Sequence, residues 1–141
     1  TKEEALEILA QANEEGLVHS TSNTQNDVTY ICNCCTCSCG ILRSIVDYGN
    51  MNSVASSDFY AAVDSDSCGG CLICIDRCQF NALEMVDDIS SVNKSLCLGC
   101  GVCITSCPDG AMSLIQKDIA NIQPPPVTEA DWNSIRADAR N

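Results

Sequence analysis

Two stretches of the chain hold residue types spaced for one particular chemistry. They are Cys68-Gly-Gly-Cys71-Leu-Ile-Cys74-Ile-Asp-Arg-Cys78 and Cys97-Leu-Gly-Cys100-Gly-Val-Cys103-Ile-Thr-Ser-Cys107-Pro108. Each is a C-x2-C-x2-C-x3-C run, the ligand spacing of [4Fe-4S] clusters. Three cysteines at intervals of three wrap a loop around one face of a cubane. The fourth opens a helix that carries it away from its own loop, so it reaches the other cluster. Cys68, Cys71, Cys74 and Cys107 are thus expected to hold the first cluster. Cys97, Cys100, Cys103 and Cys78 are expected to hold the second. Zinc also uses C-x2-C knuckles, but in separated pairs that leave the third cysteine without a task.

A further five cysteines, Cys32, Cys34, Cys35, Cys37 and Cys39, fall between residues 32 and 39. Packing does not ask for five thiols in so short a segment, and a reducing compartment disfavours disulfides. The spacing predicts a third cluster there, with zinc as the rival and uncoordinated thiols after it. Adjacent Cys34 and Cys35 point apart on an extended chain, so some of the five would serve a second site.

Residues 60–116 resemble a bacterial-type dicluster ferredoxin domain. The stretches EALEILAQANEEGLVH, YICNCCTCSCGILRSI and FYAAVD are similar to the carboxyl-terminal half of a family of anaerobe 4Fe-4S dicluster proteins. Electron transfer is what that resemblance implies. Two departures stand out: Gln79 follows Cys78 where such motifs usually have proline, and Ser38 lies where related sequences often show another cysteine.

Composition narrows the function classes. The chain has 141 residues, 13 of them cysteine, and a formal net charge of −12. Between Ser44 and Asp76 there is no Lys or Arg, while Asp47, Asp58, Asp64, Asp66 and Asp76 all occur. Such a field rejects nucleic acid and anionic membranes and suits docking to a basic patch on a redox partner. No apolar run is long enough to span a bilayer, and nothing resembles a leader peptide. An oxygen-poor cytoplasm is the expected compartment. The chain begins at Thr1 and not at Met, as a processed or partial product would.

The elements that must position these cysteines can be read in outline. Residues 1–15 form an amphipathic helix, opened by a capping box at Thr1 and Glu4 and stopped by Gly16; Ala5, Ile8, Leu9 and Ala12 face the core. Residues 18–29 read as loop, and Val28-Thr29-Tyr30-Ile31 as a short strand. Gly40 to Tyr48 reads as a second helix with Ile41, Leu42, Ile45 and Val46 apolar. Residues 49–57 read as linker. An internal repeat with a period of 29 then matches Val63 to Val92, Cys68 to Cys97, Gly70 to Gly99, Cys78 to Cys107 and Ala82 to Ala111. Each unit is strand, cluster loop, short helix and strand. The fold class expected is α+β: a pseudo-two-fold βαββαβ dicluster ferredoxin domain with an N-terminal helical, cysteine-rich extension and a short C-terminal helix. Strand 59–63 should pair with 113–115, and 82–86 with 91–93. The corresponding divisions are 1–57, 58–118 and 119–141. In the last of these Pro124-Pro125-Pro126 is followed by a helix capped by Thr128 and Asp131, with Trp132, Ile135 and Ala139 on one face folding back on the domain.

Some residues point nowhere in particular. His19 is the only histidine and reads as a surface residue beyond a helix end. Lys94 and Arg77 are the only bases in 60–116, too few for a phosphate site. No dinucleotide loop, nucleophile elbow or carboxylate pair is present. The chain therefore reads as an electron carrier and not an enzyme by itself: a ferredoxin, or an electron-wiring subunit of a larger oxidoreductase. The alternative is a redox-responsive sensor signalling through a partner. Gly69, Gly70, Gly99 and Gly101 should bring backbone N–H groups near inorganic sulfur, and Leu72, Ile73, Ile75, Val102 and Ile104 should exclude water.

Overall fold

The computed structural model describes residues 1–55 and 57–138. Helix α1, Lys2–Glu14, opens on Thr1, whose side chain accepts from the Glu4 N–H while the Glu4 carboxylate returns to the amino terminus. The expected capping box is therefore present. The core face is narrower than its periodicity implied. Ala12 is buried, but Ile8 is 58% exposed, so only the last turns of the helix are attached.

The next segment departs from expectation. Val18–Ser20 is a strand, β1, in the stretch read as loop. It pairs antiparallel with β2, Cys32–Cys34, so the strand expected over 28–31 begins only at Cys32. Val28, Tyr30 and Ile31 are all at least half exposed. The ladder forms at the cysteines because Val18 and Cys34, opposite each other, both reach the core. Helix α2, Gly40–Tyr48, has the expected bounds; Leu42 and Ile45 are buried, while Ile41 and Val46 face outward. The stretch after it is no free linker. Met51–Ser53 forms a 3-10 turn, and Met51 and Val54 pack on the core.

Residues 59–116 run strand, helix, strand, strand, helix, strand: β3 Phe59–Val63, α3 Ile73–Arg77, β4 Leu83–Val86, β5 Ile89–Val92, α4 Val102–Thr105 and β6 Met112–Gln116. The pairing follows the repeat. β3 pairs antiparallel with β6, Val63 opposite Met112, and β4 with β5, Leu83 opposite Val92. The result is a small mixed α/β unit of short elements, compatible with a ferredoxin-like domain.

Two apolar clusters hold these elements. One joins Val18, Leu42 and Ile45 of the N-terminal segment to Phe80 and Val102. The other gathers Ala61, Cys74, Leu83, Cys103 and Met112. Cys78 packs against both. Each fully buried Leu, Ile or Phe contributes about 1.5–3 kcal/mol. The first cluster therefore attaches the extension firmly to the repeat.

Beyond β6, Pro126 and Val127 accept backbone hydrogen bonds from Gln25 and Asn26 at 3.0 and 3.1 Å. The proline stretch is thus tied to the loop between β1 and β2, a contact that composition did not signal. Helix α5, Glu129–Asp138, starts on the expected Thr128–Asp131 box. Trp132 is half-buried under Arg136, whose guanidinium lies 5.8 Å from the ring centroid, and Ile135 is exposed. Ala139 lies outside the described residues.

Candidate metal centre

The eight cysteines of the two runs surround two voids. Cys68, Cys71, Cys74 and Cys107 line one, around about 330 Å³ of atom-free space that includes open solvent. Cys97, Cys100, Cys103 and Cys78 line the other, around about 370 Å³ on the same measure. Each void takes three cysteines from one loop and the fourth from the other repeat. Most other lining side chains are apolar: Met85 and Met112 in the first void; Phe80, Leu83 and Val92 in the second.

Backbone turns set this geometry, and they recur with the repeat. Gly70 and Gly99 have φ of +68° and +71°, Leu72 and Gly101 +68° and +79°, Asn81 and Gly110 +53° and +63°. Each pair is 29 residues apart. At Gly99 an added Cβ would lie 2.1 Å from the Phe59 carbonyl oxygen, so only glycine fits. Leu72 is the exception to watch: an apolar side chain in the left-handed region where the second repeat has glycine.

The electrostatics of the second void tie its four sulfurs together. Burial pushes the Cys103 thiol up to about 12, and Cys100, Cys78 and Cys97 add to the rise. Burial likewise raises Cys100, with Cys78 and Cys97 again contributing. Without a metal these thiols stay protonated; a metal replaces the protons. Donors already face some sulfurs. The Ala61 N–H points to Cys97 Sγ and the Ala82 N–H to Cys78 Sγ, each at 3.4 Å. In the first void the direction is reversed: the Cys74 thiol donates to the buried Ser90 Oγ at 3.3 Å. Ser90 was not foreseen. Its signal was present, since it occupies the repeat position of Ala61 yet is polar. Four cysteines around each apolar void fit a [4Fe-4S] group. A lone zinc would draw its sulfurs to edges of about 3.8 Å, given Zn–S near 2.3 Å. Among the described residues no three His, Cys, Asp or Glu side chains are gathered to hold a single ion.

The apolar shell is lopsided. Val102 is buried and Ile75 and Ile104 pack on the second core, but Leu72 and Ile73 are 49% and 40% exposed. Cys71 is exposed too. The first loop therefore meets solvent, contrary to the expected screen, whereas the second void lies against the extension through Phe80, Leu98 and Val102. Burial was legible from residue type; which copy of the repeat the extension covers was not.

The five N-terminal cysteines lie in β2 and in the segment that leads from it to the start of α2. A disulfide joins Cys35 to Cys37, with a Cα–Cα distance of 5.2 Å. This departs from the expectation that disulfides are disfavoured here, and leaves Cys32, Cys34 and Cys39 as thiols. Those three are neighbours. The Cys34 thiol is raised by burial first, then by Cys39 and Cys32. The Cys39 thiol is lowered, chiefly by the Leu42 N–H at the start of α2. Ser38 Oγ lies 3.7 and 3.6 Å from the Cys35 and Cys37 sulfurs. His19 sits opposite Asn33 and holds its Oδ1 at 2.7 Å, on the other face of the ladder from Cys32 and Cys34.

Two residues beside Cys78 dock the extension. Arg77 donates to the carbonyls of Asn13 and Glu14 at the end of α1. Gln79 accepts from the Thr36 N–H at 2.7 Å and donates to the Gly16 carbonyl. Among the five aspartates expected to form a docking field, Asp47 is paired with Arg43 at 3.1 Å.

A family model described as the 4Fe-4S binding domain matches the chain twice, over residues 61–84 and 91–113. The two matches support a ferredoxin-type 4Fe-4S domain, and such domains serve iron–sulfur electron transfer in general. No curated protein matches the chain. Among the described residues, no helix is long and apolar enough to cross a membrane.

Proposed function

We propose that the chain is an electron-wiring protein that passes single low-potential electrons through two [4Fe-4S] clusters, as a ferredoxin or as a subunit of a larger oxidoreductase. Cys68, Cys71, Cys74 and Cys107 ligate one cluster; Cys97, Cys100, Cys103 and Cys78 ligate the other, the halves being related by a pseudo-two-fold. One observation carries this reading: each void is lined by three cysteines of one loop and one from the other repeat. Bound clusters supply one-electron chemistry. The protein holds the sulfurs, aims N–H donors at two of them and packs the second void against the extension.

The exposed side of the first cluster, at Cys71 and Leu72, is where a redox partner exchanges electrons. Asp64, Asp66 and Asp76 nearby in sequence are exposed and favour a partner with a basic docking face. Anaerobic purification with iron and sulfide analysis tests the cluster reading: a brown protein with about 8 irons per chain is expected, and a colourless zinc protein overturns it. The docking reading predicts transfer rates that fall as salt rises past 0.1 M, where the Debye length is about 10 Å. A rate flat across that range points instead to a permanent apolar subunit contact.

A further inference from the structure

The Cys35–Cys37 disulfide has no part in the function proposed above, yet it stands in an informative place. Cys37 is exposed and Cys35 half-buried, in the loop between β2 and α2. Thr36, between them, donates its N–H to the Gln79 side chain at 2.7 Å. Gln79 is the residue after Cys78, whose sulfur lines the second void. Covalent bonds and one hydrogen bond thus link the loop of the disulfide to a ligand of the second cluster. The loop is also held from behind. Cys34 and Cys39 pack on the same apolar cluster as Cys78 and Cys100.

We propose that Cys35–Cys37 is a redox-active disulfide, reduced by electrons from the second cluster and passing them on, as a dithiol, to an external disulfide. This rests on the cluster reading above. The electron count agrees: two bound clusters would supply one electron each, the first by way of the second, and breaking one S–S bond takes two. The Cys35–Cys37 bond accepts two electrons in succession and two protons from solvent, giving two thiols and two oxidised clusters. The Cys37 thiolate then attacks an external disulfide and expels one of its sulfurs as a thiol. The Cys35 thiolate attacks the resulting mixed disulfide, releases the second sulfur as a thiol and restores the Cys35–Cys37 bond. The exposed position of Cys37 gives both the protons and the external disulfide access.

The test uses the anaerobic holoprotein. A photoreduced deazaflavin supplies single electrons, iodoacetamide then caps free thiols, and mass spectrometry locates the label. Cys35 and Cys37 should be unlabelled while the clusters are oxidised and fully labelled after reduction, and labelling should vanish again after oxidised glutathione is added. The Cys35→Ser/Cys37→Ser variant should keep about 8 irons and take up two fewer electrons per chain. Bleaching of the clusters without label at these residues overturns the inference and leaves the cluster reading standing. So does label at both before reduction, or iron falling from about 12 to about 8 in the variant, which would assign them to a third cluster. Absence of visible cluster absorbance overturns both readings.

Discussion

The Gln79 side-chain oxygen accepts a hydrogen bond from the Thr36 N–H at 2.7 Å, while its amide donates to the Gly16 carbonyl. A residue that departs from the usual proline of such motifs thus fastens the cysteine-rich loop and the end of α1 to the segment carrying Cys78. Both bonds are partly buried. Gln79→Ala should cost about 1–3 kcal/mol by leaving those backbone groups unpaired. Limited proteolysis should cut faster between residues 21 and 39 with cluster absorbance unchanged. Unaltered cleavage would mean that the loop is held by its apolar contacts alone.

Cys107→Ser should damage the cluster built on Cys68, Cys71 and Cys74, because Cys107 lines their void and not the nearer one. Electron paramagnetic resonance of the reduced variant, beside Cys78→Ser, identifies which cluster changes. A signal from the cluster at Cys97, Cys100 and Cys103 altered by loss of Cys107 would contradict the crossed arrangement.

Gly99→Ala puts a methyl 2.1 Å from the Phe59 oxygen on β3, and backbone cannot retreat as a flexible side chain can. Gly110→Ala meets nothing within 4 Å and shares the left-handed backbone. The second should lose only about 1–2 kcal/mol, the cost of that conformation for an L residue. The first should lose several times as much and fail to retain the second cluster. Denaturant unfolding of the two holoproteins gives the comparison, and equal losses would contradict the packing at β3.

Ser90→Ala removes the hydroxyl beside Cys74 Sγ. As a thiol Cys74 donates to this hydroxyl; as an iron-bound thiolate it would have no proton to give, and the hydroxyl would donate instead, stabilising the reduced, more negative cluster, so its loss should lower the potential of the first cluster. A hydrogen bond of about 1 kcal/mol corresponds to a shift on the order of tens of millivolts for one electron. Film voltammetry should show one of two couples move down. A shift of both, or of neither, would refute the assignment of Ser90 to the first cluster alone.

Much of this molecule is determined by local spacing. The x2-x2-x3 cysteine runs and the 29-residue period carry the loop–helix units, the pairing of 59–63 with 112–116 and the fourfold cysteine sets, because a repeated unit must bury the same face twice. Thr1 with Glu4, and Thr128 with Asp131, carry two helix starts, since a cap bond spans only three residues. Tertiary structure decided what depends on residues far apart. The β1–β2 ladder formed because Val18 and Cys34 share a core with Phe80 and Val102, which no local pattern states. The same packing lies against the second void through Phe80, Leu98 and Val102 and leaves Leu72 and Cys71 in solvent, although the two runs look alike in sequence. The role of Gln79 was hidden because its partners, Thr36 and Gly16, are 43 and 63 positions away. Spacing alone set Cys34 and Cys35 apart but did not pair any of the five N-terminal cysteines; the turn from β2 into α2 brought Cys35 and Cys37 together and set Cys32, Cys34 and Cys39 apart from them.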